Sequence, residues 1–376
     1  MQQKVSLPRL VIAAPQGRSG KTTVSVGLMA ALVARGLAVQ SFKKGPDFID
    51  PSWLTRVTGR QCRNLDCFLM EEDRLRASFA LNARDADISV LEGAMGLFDG
   101  VDLEGSGSTA EIARILDAPV LLVVNAARMT RSVAPMVAGF QKFDPAVNIA
   151  GVILNNVARA RHESMLRAAV EKYCGLPVLG AMPKGGDFRI PDRHLGLVPA
   201  AENEELHRAV AALGEAAAAC LDLGAILALA RAAPPLPAPE ESRAGRVRLD
   251  DRQSLCLGGG ERPLIGVFYD RAFTFYYPEN LEALAGAGAS VMPLDALCEE
   301  RLPDVDGLYI GGGFPEVFAG ELEANRALRR DVRGKIEEGL PVYAECGGLM
   351  YLGRTLTWRG RAWRMCGALP FDVVMS

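Results

Sequence analysis

The chain has 376 residues, 49% of them hydrophobic, and a formal net charge of −3, enough material for two buried cores and two or three domains. Charges of both signs are interspersed, which excludes a basic stripe for nucleic acid or an anionic membrane, and no run reaches the ~18 apolar residues that a membrane helix needs. The expected setting is cytoplasmic, and eight scattered cysteines with no Cys-x-x-Cys and no Cys/His cluster argue against a disulfide scaffold or a zinc site.

In chain order, Arg9–Ala14 is a short apolar run entering a glycine-containing loop, and Thr22–Arg35 carries helical periodicity that stops at Gly36. A strand is expected at Ala38–Phe42. Apolar runs at Ile88–Leu91, Pro119–Val124, Ile149–Leu154 and Pro177–Leu179 alternate with amphipathic segments such as Thr109–Leu116 and Glu163–Tyr173, the rhythm of a parallel sheet with helices on both faces. Glu202–Arg231, rich in Ala and Leu, predicts one or two helices that close this domain. Composition then changes abruptly: Ala232–Arg262 contains Pro-Pro-Leu-Pro-Ala-Pro and Gly-Gly-Gly and reads as a solvated linker. The rhythm restarts with strands at Leu264–Tyr269, Ser290–Met292, Gly307–Ile310 and Pro341–Ala344 and helices near Pro278–Ala287 and Asn325–Glu338. The expected fold class is α/β: a P-loop, doubly wound, mostly parallel sheet over residues 1–231, a linker over 232–262, and a second, partial flavodoxin-like α/β domain over 263–376.

Ala14-Pro15-Gln16-Gly17-Arg18-Ser19-Gly20-Lys21-Thr22-Thr23 has the core of a phosphate loop, although Pro15 stands where the usual pattern has its first glycine. Amides from Gly17, Ser19, Gly20 and Thr23 at a helix start suit the phosphates of ATP, Lys21 suits the β and γ oxygens, and Thr22 suits Mg²⁺. Lys43 and Asp47 follow the second strand, and Glu92 and Asp99 follow a later one, which puts all four at the edge where the loop lies. Acids there suit Mg²⁺, which prefers oxygen ligands; the alternative is that Asp47 and Asp99, next to Pro and Gly, are turn residues. Asn155, ending another strand beside Asn156, suits either adenine recognition or a turn.

Pro341-Val342-Tyr343-Ala344-Glu345-Cys346-Gly347-Gly348-Leu349 is a strand that ends in a cysteine and turns at once through two glycines toward a helix. Such a turn displays a nucleophile at a sheet's carboxyl edge.

The ordered set Gly-Lys-Thr-Thr, Phe-Lys-x-Gly-Pro-Asp-Phe, Glu-Gly-x-x-Gly-Leu-Phe-Asp-Gly, Leu-Asn-Asn-Val, Arg193-His194-Leu195-Gly196-Leu197 and Ala272-Phe273-Thr274-Phe275-Tyr276-Tyr277-Pro278-Glu279-Asn280-Leu281 resembles the cobyrinic acid a,c-diamide synthase family. Dethiobiotin synthetase is a more distant relative of the nucleotide half. The resemblance implies ATP and Mg²⁺ as cofactors and phosphorylation of the c and then the a acetate of a corrinoid, with ammonia displacing the phosphate. It implies Lys21 and Thr22 at phosphate and metal, Lys43 on the transferring phosphoryl group, and Asp47, Glu92 and Asp99 in metal binding and substrate activation, with Phe48 and Ile49 near the acetate arm.

The C-terminal part resembles a class I glutamine amidotransferase domain of the cobyric acid synthase type, through Gly311-Gly312-Gly313-Phe314-Pro315-Glu316 and Cys346. That implies attack by Cys346 on the glutamine carboxamide and an oxyanion hole from Gly312, Gly313 and Gly347. The family carries a histidine well beyond its cysteine, whereas His162, His194 and His207 all precede the linker here. His162 and His207 are expected on solvated helical faces, His194 near substrate, and the chain is expected to be a truncated form. Expected partners are a corrinoid carboxylate and glutamine or ammonia, without nucleic acid or membrane; a homodimer is left open. Hydrogenobyrinate, nickel sirohydrochlorin and siroheme are alternative acceptors. A P-loop ATPase switch with an inert amidase-like appendage is the alternative function, disfavoured by the Glu92-Gly-Ala-Met-Gly-Leu-Phe-Asp-Gly segment.

Overall fold

Every side chain of strand Arg9–Ala13 is buried, as are those of Ile88–Glu92, the condition of strands covered on both faces of a parallel sheet. The computed structural model describes residues 4–185, 202–238 and 262–375; Arg193–Leu197, with His194, and most of the expected linker lie outside the described residues. These fall into two units, 4–185 with 202–238, and 262–375.

The first unit runs β1 (Lys4–Val5), β2 (Arg9–Ala13), α1 (Lys21–Ala34), β3 (Val39–Lys44), α2 (Ile49–Thr58), β4 (Arg63–Leu65), α3 (Glu72–Ala83), β5 (Ile88–Glu92), α4 (Thr109–Ile115), β6 (Val120–Asn125), α5 (Val133–Phe143), β7 (Ile149–Val157), α6 (Ala160–Cys174), β8 (Val178–Pro183), α7 (Glu202–Cys220), α8 (Leu223–Arg231) and β9 (Leu236–Pro237). Seven strands form one parallel sheet in the order β4-β3-β5-β2-β6-β7-β8. Alternation sorts the side chains: Val11, Ala13, Leu122 and Val124 join one core with Phe79, Ile112, Val137 and Leu166 from α3 to α6. Leu10, Ile12, Leu121 and Val123, also buried, point to the opposite face.

The sequence reading missed α2, α3, β4 and α5. In α2 the misleading residue is Pro51, which occupies the first helical turn, where a missing N–H is harmless. The expected linker also starts later than residue 232. β9 pairs antiparallel with β1, and buried Arg9 reaches the Pro234 carbonyl (2.7 Å) as well as those of Leu116 (2.6 Å) and Leu7 (3.0 Å). Burial lowers that guanidinium to about 10, and its carbonyl partners make the burial tolerable.

The second unit contains β10 (Leu264–Phe268), α9 (Pro278–Gly286), β11 (Ser290–Leu294), β12 (Gly307–Ile310), α10 (Ala319–Ala324), α11 (Arg326–Glu337), β13 (Val342–Ala344) and α12 (Gly347–Leu352). Its sheet is parallel, ordered β11-β10-β12-β13. A smaller sheet, β15-β14-β16, follows from β14 (Thr355–Trp358), β15 (Arg361–Arg364) and β16 (Asp372–Val374). Among the described residues no helix is long and apolar enough to cross a membrane.

Candidate active sites

In the first unit, register decides which side chains meet. Glu92, the last residue of β5, lies opposite Lys43 of β3 on one side and Ile12 of β2 on the other. The chain leaves β2 one residue after Ile12 and enters the phosphate loop, so loop, lysine and glutamate share the carboxyl edge. α1 starts from Gly20, which has a φ of 90° and no side-chain cap bond, leaving the first N–H groups of the helix to an anion.

Internal bonds brace the loop. Ser19 Oγ donates to the Gln16 carbonyl (2.9 Å), and Asn155 Nδ2 donates to the Ser19 carbonyl (2.9 Å). A Cβ on Gly20 would sit 2.0 Å from that Asn155 nitrogen, so only glycine lets Asn155 through. Asn155 therefore holds the loop from beneath. Lys21 Nζ donates to the Met95 carbonyl (2.5 Å); burial and then Lys43 depress its pKa. Gly17 and Thr23 complete the loop and the first turn of α1.

Beside the loop is a buried charge network. Glu92 is 0% exposed; its Oε1 accepts from Thr22 Oγ1 (2.6 Å) and Lys43 Nζ (3.1 Å), while its Oε2 has no hydrogen-bond partner. Lys43 also pairs with Asp50 Oδ2 at 2.5 Å and stands 4.0 Å from Asp47 Oδ2. Burial pulls the Lys43 ammonium down, but Glu92 and Asp50 more than offset it and hold the group protonated. Burial pushes Glu92 up, with Lys43 opposing.

Asp47 Oδ1 accepts from the amides of Ile49 (2.8 Å) and Asp50 (3.1 Å), which starts α2 and turns Asp50 toward Lys43. Burial, and then Asp50, raise its pKa. Phe48 and Ile49 are half-buried at the head of α2. Asp99 Oδ2 accepts from Gly96 N (2.7 Å) and closes the turn after β5. Asp50 was missed as a site residue; the signal was its spacing, one helical turn past Asp47.

In the second unit Cys346 is exposed and is the N-cap of α12, with φ 50° and ψ −113°, a conformation that non-glycine residues rarely adopt. The glycines after it permit that turn: a Cβ on Gly348 would lie 2.2 Å from the Ile310 carbonyl. The Gly311–Gly313 loop lies alongside, since a Cβ on Gly312 would stand 3.3 Å from Cys346 Cβ, and one on Gly347 would stand 3.1 Å from Gly313 N. Among the described residues, the amides of Gly313 and Gly347 donate no hydrogen bond.

Tyr276, which the sequence reading did not single out, sets the height of that loop. Its hydroxyl accepts from Gly311 N (2.7 Å) and donates to the Phe268 carbonyl. Of the histidines, His207 is exposed. His162, expected on a solvated face, instead accepts from Ala158 N at Nδ1 (3.2 Å) and lies 2.5 Å from the Met129 carbonyl at Nε2, so it staples a loop.

Comparison with known proteins finds a domain family for each half of the chain. Residues 10–198 match the CobQ/CobB/MinD/ParA nucleotide binding domain and residues 264–376 the CobB/CobQ-like glutamine amidotransferase domain. The chain is 49% identical to a cobyrinate a,c-diamide synthase of Magnetococcus marinus, an alignment covering 98% of this chain and 78% of that protein. It is 47% identical to a hydrogenobyrinate a,c-diamide synthase of Streptomyces coelicolor, over 99% of this chain and 80% of that one. Among solved structures, chloroplast FtsY of Physcomitrella patens superimposes on 50% of this chain and 62% of its own, with a TM-score of 0.35 and 17% identity. With nearly its whole length matched at such identity, and with a nucleotide-binding domain joined to a glutamine amidotransferase domain, the chain belongs to the cobyrinate a,c-diamide synthase family of ligases.

Proposed function

We propose that this chain converts the a and c acetate carboxylates of a corrinoid ring to amides, using ATP and ammonia drawn from glutamine. The observation that carries the reading is the Thr22–Glu92–Lys43–Asp50 network beside the phosphate loop, set among exposed apolar side chains. Phe68 is 83% exposed, Leu69 60%, Met95 64% and Val101 79%. They lie in the loops after β4 and β5, on either side of the loop after β3 that carries Phe48. Exposed apolar residues around a charged centre suit an acceptor with a flat apolar body and carboxylate arms.

In the first step a carboxylate oxygen attacks the γ-phosphorus, the bond to the β-bridging oxygen breaks, and ADP leaves. Lys43 neutralises charge on the transferring group, while Lys21 and the α1 amides hold the phosphates. Glu92 Oε2, buried and unpartnered, and Thr22 Oγ1 are oxygen ligands that fit Mg²⁺, which when bound would neutralise charge on the phosphates. Among the described residues no cluster of three acids, histidines or cysteines forms a protein-only cage, in keeping with an ion that retains waters. Phe48 and Ile49 orient the acetate arm, and Asp47 fixes their backbone. Ammonia then adds to the acyl phosphate carbonyl, phosphate leaves, and the surplus proton passes to solvent.

In the glutaminase step Cys346 sulfur attacks the carboxamide carbon, the amide nitrogen departs as ammonia with the thiol proton, and water hydrolyses the thioester to glutamate. The Gly313 and Gly347 amides receive the oxyanion, with Gly312 close against the cysteine.

The test is incubation with ATP, Mg²⁺, ammonia or glutamine, and cobyrinate, hydrogenobyrinate and sirohydrochlorin in parallel. Two successive carboxyl-to-amide mass changes on a corrinoid are expected. ATP hydrolysis indifferent to acceptor and nitrogen source would instead identify a nucleotide switch.

A further inference from the structure

One cation of the phosphate loop has no partner in the network. Arg18 is exposed, and its guanidinium makes no ion pair or hydrogen bond with any described residue. Two neighbouring cations are occupied: Lys21 by the Met95 carbonyl, Lys43 by Asp50 and Glu92.

The backbone around Arg18 runs against conformational preference. Arg18 has a φ of 58°, in the left-handed region where a side chain crowds the following carbonyl. Gly17, just before it, is absent from the positive-φ residues, and a Cβ built there meets nothing within 4 Å. The glycine thus stands where any residue would fit, and the arginine where a glycine would be comfortable. Nor is the conformation a slack turn, because the Ser19 hydroxyl and the Asn155 amide pin the loop immediately afterwards. Strain held in place beside a ligand-binding loop points to a task for the side chain.

We infer that Arg18 is a further phosphate-binding residue of the ATP site, its guanidinium pairing with oxygens of the γ-phosphate. It is anchored within the loop that cradles the phosphates, three residues before Lys21, and its planar fork matches a phosphate's paired oxygens. The inference rests on the first unit binding ATP and is independent of which ring is amidated.

The test compares the unaltered 376-residue chain with Arg18→Gly and Arg18→Lys, measuring ATP and ADP affinity by calorimetry with Mg²⁺, together with thermal melting. Arg18→Gly is expected to melt at the same or a higher temperature, since glycine relieves the backbone, yet to bind ATP on the order of 10- to 100-fold more weakly, the worth of one charge-assisted bidentate contact. ADP affinity should change by no more than about threefold, and Arg18→Lys should recover part of the loss because it restores charge without the fork. ATP affinity within about twofold of the unaltered chain overturns the inference. So does an equal loss for ADP, or a lowered melting temperature with both affinities lost, which would make Arg18 structural. An unaltered protein that bound no nucleotide would sink the ATP-site reading itself, whereas normal ATP binding by both proteins sinks only the arginine.

Discussion

At the nucleotide site the working groups are side chains packed against each other: Lys43 is 3% exposed, Glu92 0%, and the two are paired at 3.1 Å. At the thiol site the working groups belong largely to the backbone. Cys346 is exposed and held at φ 50°, and among the described residues the nearby amides of Gly313 and Gly347 donate no hydrogen bond. Phosphoryl transfer calls for fixed, desolvated charges, and acyl transfer calls for N–H donors aimed at a developing oxyanion. The first site therefore couples its chemistry to the stability of its unit, and the second keeps the two separable.

The largest effect that would break this contrast is expected at Lys43. Lys43→Ala leaves Glu92 buried without its counter-charge, so unfolding should become easier by about 3–5 kcal/mol. Ammonia-driven amidation should fall by at least ~10³-fold, the scale of removing a cation from a phosphoryl-transfer site. Denaturant titration and initial rates check the two halves; a variant that stays stable while losing activity would show that the charges are not coupled to the fold.

Cys346 should behave in the opposite way. Cys346→Ser and Cys346→Gly should both abolish glutamine-driven amidation and leave ammonia-driven amidation within about twofold, as expected for a nucleophile used only to release ammonia. Cys346→Gly should also gain about 1 kcal/mol of stability by relieving the left-handed backbone. Loss of ammonia-driven activity in either variant would mean that the two sites are not separable.

Much of this organisation is legible in the sequence because it is carried by local patterns. Apolar runs four to six residues long marked β2, β5, β6 and β7, and Gly-Lys-Thr and Glu-Cys-Gly-Gly marked the two turns. What stayed hidden depends on register and on contacts distant along the chain. Asp50 becomes a partner of Lys43 only once α2 exists, and α2 was masked by Pro51. Arg9 looks like a polar start to a strand, but its partners lie at 116 and 234. Tyr276 sits in a motif that was noted, yet its hydroxyl finds Gly311 only after β10 and β12 pair. His162 reads as a solvated helical residue because the Met129 carbonyl that captures it lies 33 positions earlier.

Asp270 offers a pH test of the second unit. Its carboxylate accepts from the amides of Ala272 (2.7 Å), Phe273 (3.2 Å) and Ala296 (2.7 Å), and burial nonetheless raises it to about 6. The native state therefore binds a proton more tightly than the unfolded chain does, so the group's contribution is fully present below about pH 4 and is lost as pH rises through 6. The loss should be on the order of 2–3 kcal/mol. Melting of the chain against that of Asp270→Asn isolates it: the difference between them should shrink from pH 4 to pH 6.5, and a constant difference would place the Asp270 pKa in the ordinary range.

The smallest effect is expected at Tyr276, and it sharpens the contrast most. Tyr276→Phe keeps the ring, which stacks edge-on against Tyr309 at 5.1 Å, and removes only the hydroxyl between Gly311 N and the Phe268 carbonyl. Two buried backbone groups then lose their partner, at a cost of roughly 1–3 kcal/mol. Because Gly311 precedes the glycines beside Cys346, the loop should lose its fixed height, and glutamine-driven turnover should fall roughly tenfold with little change in KM, since the oxyanion forms only in the transition state. Ammonia-driven turnover should not change. If glutamine-driven kcat stays constant while the melting temperature drops, Tyr276 supports the fold alone, and the oxyanion donors are held by something other than this bond.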